Sequence, residues 1–385
     1  MTEWRDDVLG EGFVCTDLDL GADEEGPLVA TLVRSLPPRR GFLERWLGKP
    51  RLLENIDVLY VHGWSDYFFQ RELAEFWTVR GARFFALDLR KYGRSLREGQ
   101  TPGYIDNLDE YDAEISQALD VIAAEDPGDG PRKLVLFGHS TGGLVLSLWA
   151  AQHPGRADAL VLNSPWLEFQ LATAGRQVIA PLVALGARFK PKEIAPQLDY
   201  GFYTRAQLEV GPKDELATID PRWRPERSHA VATGWLRAIL VGHDRVAKGL
   251  DIDVPVGVLL SARFAVPLRW SPELTQADTV LDVDEVAKAA LKLGSSVTID
   301  RIDGALHDVF LSAPAPRELA YERLERWLVG WRVAVDRGAL PGTGLARLAP
   351  TIPSPPVTSP GTPTATPASE HGAAPGRARP DALGS

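Results

Sequence analysis

The stretch from Lys133 to Trp149, KLVLFGHSTGGLVLSLW, constrains this chain more than any other. Leu134–Phe137 is an apolar run of the kind that forms a parallel strand buried on both faces. It leads into Gly138-His139-Ser140-Thr141-Gly142, and a helical pattern rich in Leu, Val and Ala begins at about Gly143. Strand, G-x-S-x-G and helix in direct succession make a turn so tight that glycine is needed on both sides of the serine. Ser140 at its apex projects its hydroxyl at the carboxyl end of the sheet, beside the first helical N–H groups. The stretch reads as a presented nucleophile.

The rest of the chain alternates in the same way. Phe13–Leu20 and Leu28–Leu36 read as an early hairpin around GADEEGP, and Pro37–Arg51 as a Pro-containing connection. Ile56–Val61, Arg83–Leu89 and Ala157–Asn163 read as buried strands, with amphipathic helices at Phe68–Arg80 and Asp109–Ala124. Such alternation predicts an α/β fold with a mostly parallel, doubly wound sheet and right-handed crossovers. From Leu167 to Leu250 the pattern becomes helical and irregular, with helical stretches at Leu171–Arg188 and Trp235–Val241. Strands return at Val254–Ser261 and Ser296–Ile302, with helices at Val283–Leu293 and Pro316–Val335. Leu319, Leu324, Trp327, Leu328 and Trp331 are the core positions expected of the last helix. The expected organisation is a sheet core over 1–166 and 251–337, a helical cap over 167–250, and a tail over 338–385.

With 385 residues and 44% hydrophobic content, the chain can bury one large domain or two small ones. A net charge of −10 and the lack of any basic stripe argue against a nucleic-acid partner. Acidic residues in MTEWRDDVLGEG stand where a secretory signal would be basic and then apolar, and no run reaches the ~20 apolar residues of a membrane span. The expectation is a soluble, cytoplasmic protein. Cys15 is the only cysteine, which excludes an intrachain disulfide and a cysteine-built metal site. No metal or cofactor is called for. The tail holds ten of the chain's 30 prolines and no aromatic residue, a composition that predicts disorder.

Five features resemble the α/β-hydrolase superfamily over roughly residues 13–335: VLYVHGWSDYF, FFALDLRKYGRS, LFGHSTGG, VLNSPW, and SARFAVPLRWSPELTQADTVLD with RIDGALHDVFLS. Within it, the chain is similar to the cap-bearing branch of monoacylglycerol lipases and lysophospholipases, which belongs with the serine aminopeptidase-like hydrolases. The resemblance implies hydrolysis of small acyl esters. The cap's Val178, Ile179, Leu182, Val183 and Leu185, beside Arg188 and Lys190, suit acyl chains or peripheral contact with a lipid surface, and equally suit packing on the sheet.

A serine at neutral pH needs a general base. Of the seven histidines, His62 sits in the HG turn, His153 near the end of the helix after Ser140, and His371 in the tail. His229 and His243 fall in the cap. His139 is adjacent to Ser140 on a sharp turn and points away from the role of base; with Gly63 it is expected among the substrate-binding residues. His307 directly follows the last strand, where a loop at the carboxyl edge faces Ser140. It is the candidate base.

The acid that orients the histidine should follow the strand ending at Ser261. That loop offers Glu273, Asp278, Asp282 and Asp284. Asp278 matches the acid of the lipase-like families, whereas Asp282 and Asp284 fall at a helix start and suit N-capping. Superfamily members with the acid a few residues after the strand differ from this chain, which reads Ser261-Ala262-Arg263-Phe264 there. The N–H of Thr141 is one expected oxyanion donor, and the family pattern maps the other onto Trp64. Ser95 has no elbow around it, and Asp88 and Arg90 are expected to fix a neighbouring loop. An acyltransferase, a proline-releasing aminopeptidase and a non-catalytic binding protein remain alternatives on this fold.

Overall fold

Strands whose residues are buried without alternation form the centre of the sheet. In β4 (Ile56–Val61), β5 (Arg83–Asp88), β7 (Ala159–Asn163) and β8 (Val256–Ser261) every residue is buried, as required of parallel strands covered on both faces. In this computed structural model the described residues are 2–38, 41, 51–125, 128, 130–169, 180–181, 183–184, 186–195 and 199–338, all within the unit Met1–Arg347. The predicted tail lies outside them from residue 339 onward.

Nine strands form one sheet in the order β1-β2-β3-β5-β4-β6-β7-β8-β9. β1 (Arg5–Asp6), β2 (Phe13–Asp23) and β3 (Gly26–Ser35) are antiparallel, and β3 pairs antiparallel with β5. From β5 through β4, β6 (Lys133–His139), β7, β8 and β9 (Val297–Ile302) all pairings are parallel. Register places Val61 beside Gly138, His139 beside Asn163, and Ser261 beside Ile302. The segments after β4, β6, β7, β8 and β9 therefore leave from one edge, where an open α/β sheet builds its sites.

Two apolar layers cover the sheet. One face packs Ile115 of α2 (Asp112–Ala124), Leu144 of α3 (Thr141–Gln152), Ile239 of α6 (Thr233–Lys248) and Val286 of α7 (Val283–Ala290). The other packs Trp77 of α1 (Arg71–Val79) with Leu324 and Leu328 of α8 (Pro314–Asp336). Helices on both faces make the fold doubly wound, as the alternation predicts.

Several boundaries differ from the sequence reading. The helix expected from Phe68 starts at Arg71: Gln70, at φ −76° and ψ 85°, is still non-helical, and the Phe68 N–H before it donates to Asp88 Oδ1 at 2.9 Å. In α8 the fully buried stripe is Ala320, Leu324, Leu328 and Trp331. Leu319 and Trp327 flank that stripe half-buried, so the helix is rotated slightly from the predicted face. β1 carries too little pattern to be predicted. Between β7 and β8, α4 (Phe202–Val210) and α5 (Lys213–Leu216) join α6, which is longer than Trp235–Val241. Of the predicted helix Leu171–Arg188, residues 171–179, 182 and 185, including Val178, Ile179, Leu182 and Leu185, lie outside the described residues.

Candidate active site

Ser140 stands between β6 and α3 with φ 50° and ψ −116°, a conformation that non-glycine residues rarely adopt. The turn is held from several sides. Its N–H donates to Asn163 O at 3.0 Å, and its carbonyl accepts the N–H groups of Gly143 at 3.0 Å and Trp166 at 2.9 Å. A Cβ on Gly142 would collide with the carbonyl oxygens of Val61 and His62, so only glycine lets the helix start this close to β4. A Cβ on Gly63 would lie 3.0 Å from Ser140 Cβ. The loop after β4 thus lies directly against the serine.

His307, in the loop after β9, is 3% exposed. The Ser140 hydroxyl donates to its Nε2 at 3.0 Å, and its Nδ1–H donates to Asp278 Oδ2 at 2.8 Å. Asp278 is fully buried, and its other oxygen accepts the N–H groups of Val280 at 2.7 Å and Leu281 at 2.8 Å. The long segment after β8 returns to the sheet edge by pairing with its own start. Asp278 N donates to Arg263 O, and Ala265 N donates to Asp278 O, both at 2.9 Å. This return brings a distant carboxylate to the place where Ser261-Ala262-Arg263-Phe264 offers none.

The other candidates are engaged elsewhere. Asp282 caps α7, accepting the N–H groups of Asp284 at 3.0 Å and Glu285 at 3.3 Å. Asp284 pairs with Arg301, and Glu273 lies in the 3-10 turn Pro272–Thr275. His62 donates from Nδ1 to Gly63 O and accepts the Leu89 N–H on Nε2. His153 pairs with Asp112, and His243 donates to Trp166 O. His139 donates from Nδ1 to Asn163 O, and burial lowers its pKa. Asp88 holds Phe68 and Arg94, Arg90 pairs with Glu114, and the Ser95 hydroxyl donates to Asp88 O.

Residues 56–261 match the family described as Serine aminopeptidase, S33, more than half of the chain. The chain belongs to this hydrolase family. A monoacylglycerol lipase of Mycolicibacterium smegmatis is 32% identical over 109 residues, covering 28% of this chain and 37% of that protein. The match thus spans little more than a third of the curated relative. A soluble variant of monoglyceride lipase from Saccharomyces cerevisiae, solved with a substrate analogue, superposes with a TM-score of 0.55 at 17% identity, covering 84% of this chain and 98% of that one. The monoacylglycerol lipase of Paleococcus ferrophilus gives 0.53 at 19% identity, covering 71% and 94%. These likenesses show the α/β-hydrolase fold.

In this S33 hydrolase Ser140 and His307 open into a cavity of about 310 Å³, which Gly63, Trp64, His139 and Thr141 also line. Its other walls carry two unlike groups of side chains. Trp64 and Trp166 are joined through Trp235, with ring centres 4.0 and 5.9 Å from it, and Val231 and Val280 add apolar surface. The second group is polar: Arg224 Nε lies 2.8 Å from Asp66 Oδ1, and Arg224 Nη2 donates to Gln207 Oε1 at 2.6 Å. Tyr203 adds a buried hydroxyl with no hydrogen-bond partner among the described residues, and burial raises its pKa well above the usual tyrosine value. Asp66, Tyr203 and Arg224 were not singled out from the sequence. Asp66 lies within VHGWSD, but an arginine from the segment between β7 and β8 meeting it so far along the chain has no local signal.

Proposed function

We propose that this S33 hydrolase cleaves carboxylic esters joining an apolar acyl chain to a polar alcohol, of the monoacylglycerol or lysophospholipid type. The observation that carries the reading is the relay from Ser140 Oγ through His307 to Asp278, at 3.0 and 2.8 Å. Ser140 Oγ attacks the ester carbonyl as its proton passes to His307 Nε2. Asp278 keeps the Nδ1–H tautomer and stabilises the imidazolium. Negative charge on the carbonyl oxygen falls to the N–H groups of Thr141, at the start of α3, and Trp64. The tetrahedral species expels the alkoxide, which takes the proton from Nε2. Water, deprotonated by the same nitrogen, then releases the acid and restores Ser140.

The mixed cavity wall supports an amphiphilic ester, with the Trp64–Trp166 side suited to the acyl chain and the Asp66–Tyr203–Arg224 side to the alcohol. The similarity to a monoacylglycerol lipase over 109 residues supports the same class. Pro267 lines the cavity between Val266 and Leu268, which are 61% and 74% exposed, so an apolar tip at the mouth favours contact with a lipid surface. No helix among the described residues is long and apolar enough to cross a membrane.

The test is fluorophosphonate labelling with and without Ser140→Ala, beside a panel of p-nitrophenyl esters of graded chain length. Labelling confined to Ser140 and turnover of the esters are expected. Labelling that survives Ser140→Ala would sink the reading. Amide substrates in the same panel expose a peptidase, and acceptor-dependent products an acyltransferase.

A further inference from the structure

Asn163, the last residue of β7, touches both halves of the candidate machinery. Its carbonyl accepts the Ser140 N–H at 3.0 Å and the His139 Nδ1–H at 3.1 Å. Its side-chain Nδ2 donates to Asp308 Oδ1 at 2.8 Å, and its Oδ1 accepts the Val309 N–H at 3.3 Å. One residue therefore holds the turn that carries the serine and the loop that carries His307.

Asp308 is the anion of that loop and is 1% exposed. Besides Asn163 it is held by Phe310 N–H on Oδ1 at 3.0 Å and by Gln70 Nε2 on Oδ2 at 3.2 Å. All three donors are neutral. His139 Nε2 lies 4.0 Å from Asp308 Oδ2, beyond hydrogen-bonding range, and burial lowers the pKa of that imidazole. Burying a carboxylate among neutral donors is costly. That cost has a use where positive charge develops nearby, and the His307 ring lies across His139 from Asp308, its centre 5.1 Å from that of His139.

We propose that Asp308 is a positioning residue for His307: through Asn163 it holds the histidine loop in register with the Ser140 turn, and its negative charge acts on the imidazolium from behind His139, whose ring centre lies 5.1 Å from that of His307. This rests on the hydrolase reading above. The other titratable or charged groups around His139, His307 and Asp308 include Asp278, which bonds His307, Tyr203, whose ring centre is 5.6 Å from that of His307, Asp66, which acts on His139, and Arg224 and Glu215, which act on Asp308. Asp308 differs from Asp278 in making no hydrogen bond to an imidazole nitrogen among the described residues.

The experiment is the pH dependence of p-nitrophenyl butyrate hydrolysis by wild type, Asp308→Asn, Asp308→Glu and Asn163→Ala. Asp308→Asn should lower kcat about ten- to a hundred-fold with KM within about threefold. Removing the negative charge favours the neutral imidazole, so the acid limb of kcat/KM should move to lower pH by about half a unit or more. Asp308→Glu returns the charge and should restore the limb. Asn163→Ala keeps Asp308 and should lower kcat while leaving the limb in place. A kcat for Asp308→Asn within about twofold of wild type, or an unmoved limb, overturns the proposal. If neither Asp308→Asn nor Asn163→Ala folds, the pair is structural and the proposal is equally overturned. A wild type inactive on every ester would instead sink the hydrolase reading, before any variant is compared.

Discussion

Asp278 Oδ2 accepts the Nδ1–H of His307 at 2.8 Å, while Oδ1 of the same carboxylate accepts the N–H groups of Val280 and Leu281. One oxygen orients the imidazole and the other fixes the carboxylate to its own loop. A carboxylate held in this way cannot swing away when the imidazole changes charge.

Asp278→Asn should therefore leave folding and the Ser140 pocket intact while lowering kcat by about three to four orders of magnitude, because the amide favours the wrong imidazole tautomer. Asp282→Ala should leave kcat unchanged and cost about 1 kcal/mol, the worth of the α7 cap. Kinetics and denaturant titration on the two variants separate the roles. A dead Asp282→Ala beside an active Asp278→Asn would reverse the assignment.

At Gly142 the added methyl of alanine would meet two backbone carbonyls, and neither can give way without moving β4. Gly142→Ala should lose about 1–3 kcal/mol and displace Ser140 from His307. The rate of fluorophosphonate labelling should fall about a hundred-fold. Labelling at the wild-type rate would mean that the turn has slack the contacts deny.

How much of this was legible follows from the range of each signal. The strands β4 to β8 announce themselves because each is a short apolar run buried on both faces, and the Ser140 turn because glycines, serine and helix are contiguous. Asp278 was harder to read. Its position depends on the loop pairing back onto Arg263 and Ala265, and a hydrogen bond across such an excursion leaves no local pattern. Arg224 and Asp66 meet only because the segment between β7 and β8 folds over the sheet edge. Asp308 sat in plain view after His307, but its value depends on Asn163 at the end of another strand. Trp327 shows the limit of periodicity: a small rotation of α8 gives the buried stripe to Ala320 and leaves the indole at its margin.

The Asp66–Arg224 pair supplies the next expectation, since both side chains are 7% exposed. Arg224→Met leaves Asp66 buried without its cation and should cost about 3–5 kcal/mol. Asp66→Asn combined with Arg224→Met removes both charges and should recover much of that loss. A double-mutant cycle by denaturant unfolding measures the coupling. Additive effects of the two changes would show that the charges do not stabilise one another.

The last expectation concerns pH. Glu215 of α5 is 6% exposed and accepts the N–H of Glu72, in the first turn of α1. Its charged neighbours include the carboxylates of Glu72 and Asp308 and the guanidinium of Arg71. Burial, with help from the two carboxylates, pushes its pKa up from the ordinary 4.5 to about 7. An acid with a raised folded-state pKa contributes stability that is complete below the unfolded value and is lost as pH rises through the folded one. The window here runs from pH 4.5 to about 7. Glu215→Gln keeps an acceptor for the Glu72 N–H and has no proton to lose. It should match the wild-type Tm at pH 4.5 and exceed it by about 2–4 °C at pH 8. Glu114, also raised to about 7 by burial, titrates over the same range, so the variant-minus-wild-type difference is the quantity to follow. A difference that stays flat from pH 4.5 to 8 would mean that Glu215 is ionised throughout, and that α5 holds α1 with a charged carboxylate.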